Sequence, residues 1–225
     1  MNITMDLTVA VIAKECLPGR VKTRLTPPLT QPEAAAIAQL SLARTLDTVR
    51  LLPVQERLLV IAGTPRSVDA EGFTLVAQAG GSLDERLAAI CDSVAGPLLI
   101  VGMDTPQFSV EHAAPLFKDW SSATPLHDAW LGPAADGGFW AVALRRPDGA
   151  LIRGVPMSTG ATGAAQLARL SAAGLSIGLL TPLRDMDYFG DAVEIAAELP
   201  GTPFAQAVAE AVAAAGEHLV AGARP

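Results

Sequence analysis

Short apolar runs alternate along the chain with longer stretches in which Ala, Leu and Ile recur at helical spacing, and the alternation predicts strands and helices in turn. Residues 7–13 read as a first buried strand, a β-branched and apolar run closed by the charge of Lys14. Further strands are expected at 57–62, 74–77, 97–101, 129–132, 139–144 and 176–180. Between them, Thr30-Gln31-Pro32-Glu33 and Ser82-Leu83-Asp84-Glu85 both have the form of a capping box. The first predicts a helix reaching about residue 51, and the second a helix to about 94 with Leu83, Leu87, Ile90 and Val94 on one face. Helices are also expected over 109–120, over 166–173 with Gly174 as its C-terminal cap, over about 190–199, and from Thr202 onward. Strands alternating with helices predict a three-layer α/β fold built on a mainly parallel sheet. The 225 residues suffice for one domain with a full core, and no internal repeat or linker divides them.

Composition narrows the partners. Half of the residues are hydrophobic, only 17% are charged, and the net charge is −7, a balance that opposes a nucleic-acid or anionic-membrane partner. No apolar run approaches the roughly 18 residues of a spanning helix, and the N-terminal residues lack the order of a signal peptide, so a cytoplasmic location is expected. Cys16 and Cys91 have no C-x-x-C spacing and no nearby His, which argues against a zinc site or a disulfide framework. The Ala-rich C-terminal stretches suggest packing against another subunit, and hence a homo-oligomer.

Against this acidic background, residues 10–25 stand out. Lys14, Arg20, Lys22 and Arg24 are a quarter of the 16 Lys and Arg, placed in a Pro-Gly loop directly after the first strand. Flexible cations and loop N–H groups together suit a phosphate, although a basic loop is as often only a solvated turn. It is not a Walker A loop, because Val21 and Cys16 stand where Gly is required, and no G-x-G-x-x-G follows the strand. Asp104 lies just past the apolar strand at 97–101, where open α/β sheets hold ligands; its plainer reading is a turn cap before Pro106. Asp136-Gly137-Gly138 is strong turn chemistry, and two residues without side chains also admit a substrate to backbone N–H groups left free for an anion. Asp185 and Asp187, two apart in extended chain, point to one side and can face one hard cation. His112 reads as a surface residue, and no Ser-His-Asp set or activated Cys presents itself, so electrostatic catalysis is expected in place of a covalent route.

Taken together, Ala13-Lys14, Pro18-Gly19-Arg20-Val21-Lys22-Thr23-Arg24-Leu25, Gly102-Met103-Asp104-Thr105-Pro106, the run Leu131 to Gly138 and Asp185-Met186-Asp187 resemble the radical-SAM/selenodomain-associated transferase family. That family lies within the GT-A nucleotide-diphospho-sugar transferase superfamily, and the chain is more distantly similar to the 2-phospho-lactate guanylyltransferases of coenzyme F420 biosynthesis. The resemblance implies a GT-A fold with a mainly parallel mixed sheet. It implies a nucleotide site from Ala13, Lys14, Gly19, Arg20, Lys22, Thr23 and Arg24, with Lys22, Arg24 and Asp104 catalytic. Asp104, Asp185 and Asp187 would hold Mg2+ or Mn2+, and Asp136, Gly137, Gly138 and Ser158 would meet the acceptor. The chain departs from the family at Tyr188-Phe189, where Thr-Pro is usual, at Met157 in place of Trp, and at Met103 in place of Ser. The expected partners are a nucleoside triphosphate or an NDP-sugar and a small acceptor. Nucleotidyl transfer to a phosphorylated acceptor is favoured over glycosyl transfer, and a non-catalytic nucleotide-binding protein is the alternative of another class.

Overall fold

A computed structural model describes residues 4–221. Its centre is a seven-stranded sheet in the order β3-β2-β1-β4-β6-β5-β7. The strands are β1 (Met5–Lys14), β2 (Val54–Ala62), β3 (Thr74–Ala77), β4 (Leu98–Gly102), β5 (Ala129–Pro133), β6 (Phe139–Leu144) and β7 (Ile177–Leu179). All described pairings are parallel except those of β6, which runs against both β4 and β5. The mainly parallel mixed sheet expected from the sequence is therefore present.

Strand alternation sorts the core into two layers. Val9, Val11 and Ala13 of β1 face α1 (Gln31–Leu51) and α4 (Val110–Trp120), while Ala10 faces α3 (Leu83–Ser93) and α5 (Thr162–Ala172). A third cluster, lying beyond the sheet, joins Leu25, Leu29 and Ile37 to Met186 and to Phe204 of α7 (Pro203–Ala221), with α6 (Phe189–Glu198) between them. The short helix α2 (Ser67–Ala70) connects β2 to β3.

The helix starts are local chemistry. The Thr30 hydroxyl accepts from Glu33 N while Glu33 reaches back to Thr30 N at 2.7 Å, and Ser82 with Glu85 repeats the arrangement. His112 closes the start of α4 in the same way, accepting from Ser109 N at 3.0 Å, so its ring is committed to the cap. Helix α5 begins at Thr162, four residues before the apolar spacing predicts. Its first turn is made of small residues, and the Thr162 hydroxyl accepts from Thr159 N at 3.1 Å. Among the described residues no helix is long and apolar enough to cross a membrane.

Candidate active site

After β1 the chain moves to β2 and β3 on one side, then returns to place β4 on the other side of β1. The loops leaving the C-terminal ends of β1 and β4 therefore diverge, which leaves a crevice at this switch point. The basic loop follows β1 and Asp104 follows β4, and Ile12 of β1 pairs with Gly102 of β4 just below them. A cavity of about 780 Å³ opens there.

Residues 183–187 run into the same crevice. Ala135 N donates to Leu183 O at 2.8 Å, and Met186 N donates to Asp104 O at 2.9 Å, so the late acidic segment is tied to both neighbouring loops. Met186 is wholly buried in the third apolar cluster, and the alternation of extended chain then turns Asp185 and Asp187 together toward the cavity.

Helix α1 fixes the Asp104 loop from behind. The Ser41 hydroxyl donates to Met103 O at 2.6 Å, Arg44 Nε to Pro106 O at 2.9 Å and the Thr48 hydroxyl to Phe108 O at 3.1 Å. These positions are three and four residues apart and so share one helix face. Sequence reasoning missed this set; the only signal is a polar stripe at 41, 44 and 48 in an otherwise apolar helical face. Met103 points into the core, where its sulfur accepts from Lys14 N at 3.2 Å, linking the two loops beneath the crevice.

The charged groups converge on Lys22. Its Nζ lies 3.0 Å from Asp104 Oδ2 and 3.1 Å from Asp187 Oδ1, and only 8% of its side chain is exposed. Arg24 makes a longer contact to Asp187, 3.4 Å, and remains largely in solvent beside the Tyr188 ring. Burial opposes the charge on Lys22, but the carboxylates of Asp104 and Asp187 outweigh it and raise the pKa of the ammonium. Asp185 takes the opposite position. Burial first, then the nearby charges of Asp104 and Asp136, push its carboxyl up to about 7. The cluster thus carries more negative charge than Lys22 offsets.

The expected site residues Ala13, Lys14, Arg20, Lys22, Thr23, Arg24, Asp104, Asp136, Gly138, Ser158, Asp185 and Asp187 all line the one cavity. Gly19 and Gly137 do not. Gly19 shapes the turn, with φ +73, and Gly137, with φ +89, packs two loops together. A Cβ on Gly137 would fall 2.1 Å from Gly160 O, and Gly163 N donates to Gly137 O at 2.8 Å. The Gly137 and Gly138 N–H groups, expected to be free for an anion at this turn, are both taken. Gly137 N donates to Ala134 O at 3.0 Å and Gly138 N to Asp136 Oδ1 at 2.8 Å, because the turn closes on its own Asp. Ala at Gly137 is expected to cost roughly 2–3 kcal/mol from its φ and the clash together. An unchanged midpoint of urea unfolding would contradict that.

Gln78, Arg86, Met157, Thr159 and Tyr188, none of them assigned to the site from the sequence, also line the cavity. The Gln78 side-chain amide donates to Val60 O at 3.2 Å and also to Ala13 O, fastening the end of β1 to the strands beside it. Ser158 has φ +58, a left-handed conformation that costs a residue with a Cβ roughly 1–2 kcal/mol.

As the side chains stand, no three Asp, Glu, His or Cys groups among the described residues are close enough to hold an ion. The donors are nevertheless hard carboxylate oxygens, and the position between Asp104 and Asp187 is already one that a cation fills, here the Lys22 ammonium. By donor chemistry and by their excess negative charge, the residues suit Mg2+ or Mn2+.

A family model described as "Uncharacterized protein conserved in bacteria (DUF2064)" matches residues 45–159. The chain belongs to the DUF2064 family. No curated protein matches its sequence. The DUF2064 protein is similar in structure to a Desulfovibrio desulfuricans G20 protein assigned as a nucleotide-diphospho-sugar transferase. The TM-score is 0.79 at 19% identity, over 95% of this chain and 98% of that one. It is also similar to a CMP:2-keto-3-deoxy-manno-octonic acid synthetase complexed with CTP, with TM-score 0.50, 15% identity, and 79% and 90% coverage. A third likeness is to Rv0371C of Mycobacterium tuberculosis H37Rv in complex with manganese, with TM-score 0.50, 19% identity, and 85% and 98% coverage. At these identities the likenesses establish the fold of the DUF2064 protein, which is that of the nucleotide-diphospho-sugar transferases.

Proposed function

We propose that the protein is a nucleotide-dependent, metal-assisted transferase that uses the crevice between the β1 and β4 loops. The observation that carries this reading is the meeting in one cavity of Lys14, Arg20, Lys22 and Arg24 with Asp104, Asp185 and Asp187, from three separate parts of the chain. Flexible cations on the first loop suit the phosphates of a nucleotide, and the three carboxylates suit the divalent ion that accompanies them. Held by Asp104, Asp185 and Asp187, Mg2+ or Mn2+ would offset the charge that develops on a departing phosphate.

The residues of the chain account for the rest. Lys22 and Arg24 lie close enough to the carboxylates to neutralise phosphate oxygens placed beside them, and Lys14 and Arg20 extend that positive rim outward. Asp136 and Ser158 border the same cavity from the two loops that Gly137 holds together, and form its acceptor side. The CTP and manganese complexes of structurally similar proteins agree with a nucleotide and a divalent ion here.

Within this reading nucleotidyl transfer is preferred. The four first-loop cations suit a triphosphate, and the loop motif resembles that of the guanylyltransferases. An acceptor oxygen would attack the α-phosphorus and pyrophosphate would leave. Glycosyl transfer from an NDP-sugar is the second reading, favoured by the likeness to the Desulfovibrio protein. Exchange of labelled pyrophosphate into a nucleoside triphosphate, dependent on Mg2+ or Mn2+ and a suitable acceptor, is the expected result. Turnover of an NDP-sugar with no pyrophosphate chemistry would transfer the assignment to the second reading.

A further inference from the structure

We infer that Lys22 is a displaceable counter-ion. Its ammonium closes the carboxylate site in the ligand-free protein and must leave before a divalent cation can bind. The inference rests on the metal-assisted reading above. The ammonium stands 3.0 Å from Asp104 and 3.1 Å from Asp187, two of the three carboxylates assigned to the ion. A cation bridging the same oxygens would be within a few ångströms of that ammonium, and like charges at that separation exclude one another.

Two further features show that the arrangement is held in place and able to change. Lys22 has φ +47 and ψ +41, a left-handed conformation that a side chain with a Cβ adopts at a cost, and no cap hydrogen bond of its own side chain supports it. The two ion pairs anchor the ammonium end of the side chain. The four-carbon stem, in turn, lets the ammonium swing without moving the strand beneath it. Arg24 cannot take its place, since it is mostly exposed and reaches only Asp187, at 3.4 Å.

Phosphate oxygens placed at the first loop offer the ammonium new partners and draw it off Asp104 and Asp187. Nucleotide and metal affinities are then coupled, each ligand assisting the other. Metal alone meets a closed site, which protects a crevice of carboxylates from filling before the nucleotide arrives.

Binding of Mn2+ alone, followed by loss of the free-ion paramagnetic resonance signal, tests this without turnover. Lys22→Met is expected to bind Mn2+ roughly tenfold or more tighter than the wild type, and Lys22→Arg to remain as weak as the wild type. Lys22→Gln carries the same expectation as Lys22→Met, should the Met variant fail to melt cooperatively. Equal or weaker Mn2+ binding by the Met and Gln variants overturns the inference and leaves the metal-assisted reading standing. If none of the proteins binds Mn2+ at millimolar concentration, that reading falls together with the inference.

Discussion

Replacing Asp104 with Ala is expected to lower turnover of the nucleotide substrate by roughly 10²–10³-fold, the scale on which removal of one well-placed charge-stabilising group acts. The fold should be little affected. Lys22 keeps its second partner, Asp187 at 3.1 Å, so its ammonium is not left buried without a counter-charge. The structural tie is made by its backbone: Asp104 O accepts from Met186 N, and Ser41 holds the adjoining Met103 O. Both survive the substitution. Rates measured beside thermal melts separate the two effects. Turnover within a few-fold of the wild type would remove Asp104 from the machinery. A more stable variant whose nucleotide affinity in Mg2+ is unchanged would end the metal assignment.

Asp185→Asn should act in the opposite direction, on stability. The carboxyl has a pKa of about 7 in the folded protein against an ordinary 3.8, so the folded state holds its proton where the unfolded chain has released it. Stability falls with rising pH wherever the native state binds more protons. The Asp185 contribution is therefore intact below about pH 4, declines as the pH rises through the folded pKa, and is a constant penalty above it. At about 1.36 kcal/mol per pKa unit the penalty reaches about 4 kcal/mol at most. Asn carries no such charge. In EDTA, guanidinium unfolding should find Asp185→Asn more stable than the wild type at pH 8 by about 2–4 kcal/mol, with the gap closing toward pH 4.5. A gap that does not change with pH would show that Asp185 is not the titrating group. The variant should gain stability and lose activity together, as expected when a cluster of carboxylates is kept for function.

Much of this site can be read from the sequence, because its parts are local. A strand that stops at a cluster of cations, an Asp after an apolar strand and an i, i+2 acidic pair each carry their own signal, and parallel-strand topology then brings their ends to one edge. The capping boxes at Thr30 and Ser82 are equally local and fixed both helix starts. What escaped is long-range. The polar stripe Ser41, Arg44 and Thr48 has meaning only once the loop at 103–108 lies against α1. The reversed direction of β6 is invisible in a six-residue apolar run, one of whose two partners, β4, lies about 40 residues earlier. At Gly137 and Gly138 the composition predicts the tight turn that is found, but the loop hydrogen bonds consume their N–H groups. From the sequence Lys22 reads as a phosphate contact; its pairing with two carboxylates, 82 and 165 residues further on, is a property of the folded chain alone.

The most direct test of the central claim is a thermal-shift measurement across the nucleoside triphosphates and common NDP-sugars, each with and without Mg2+ or Mn2+. A ligand that binds only the native state raises the melting temperature by mass action. A shift with one triphosphate that requires the metal, and that disappears in Asp104→Ala, is the predicted result. A metal-dependent shift with an NDP-sugar alone would keep the transferase and change the reaction to glycosyl transfer. No shift with any of them would contradict the account and leave the crevice without the nucleotide on which the proposed chemistry depends.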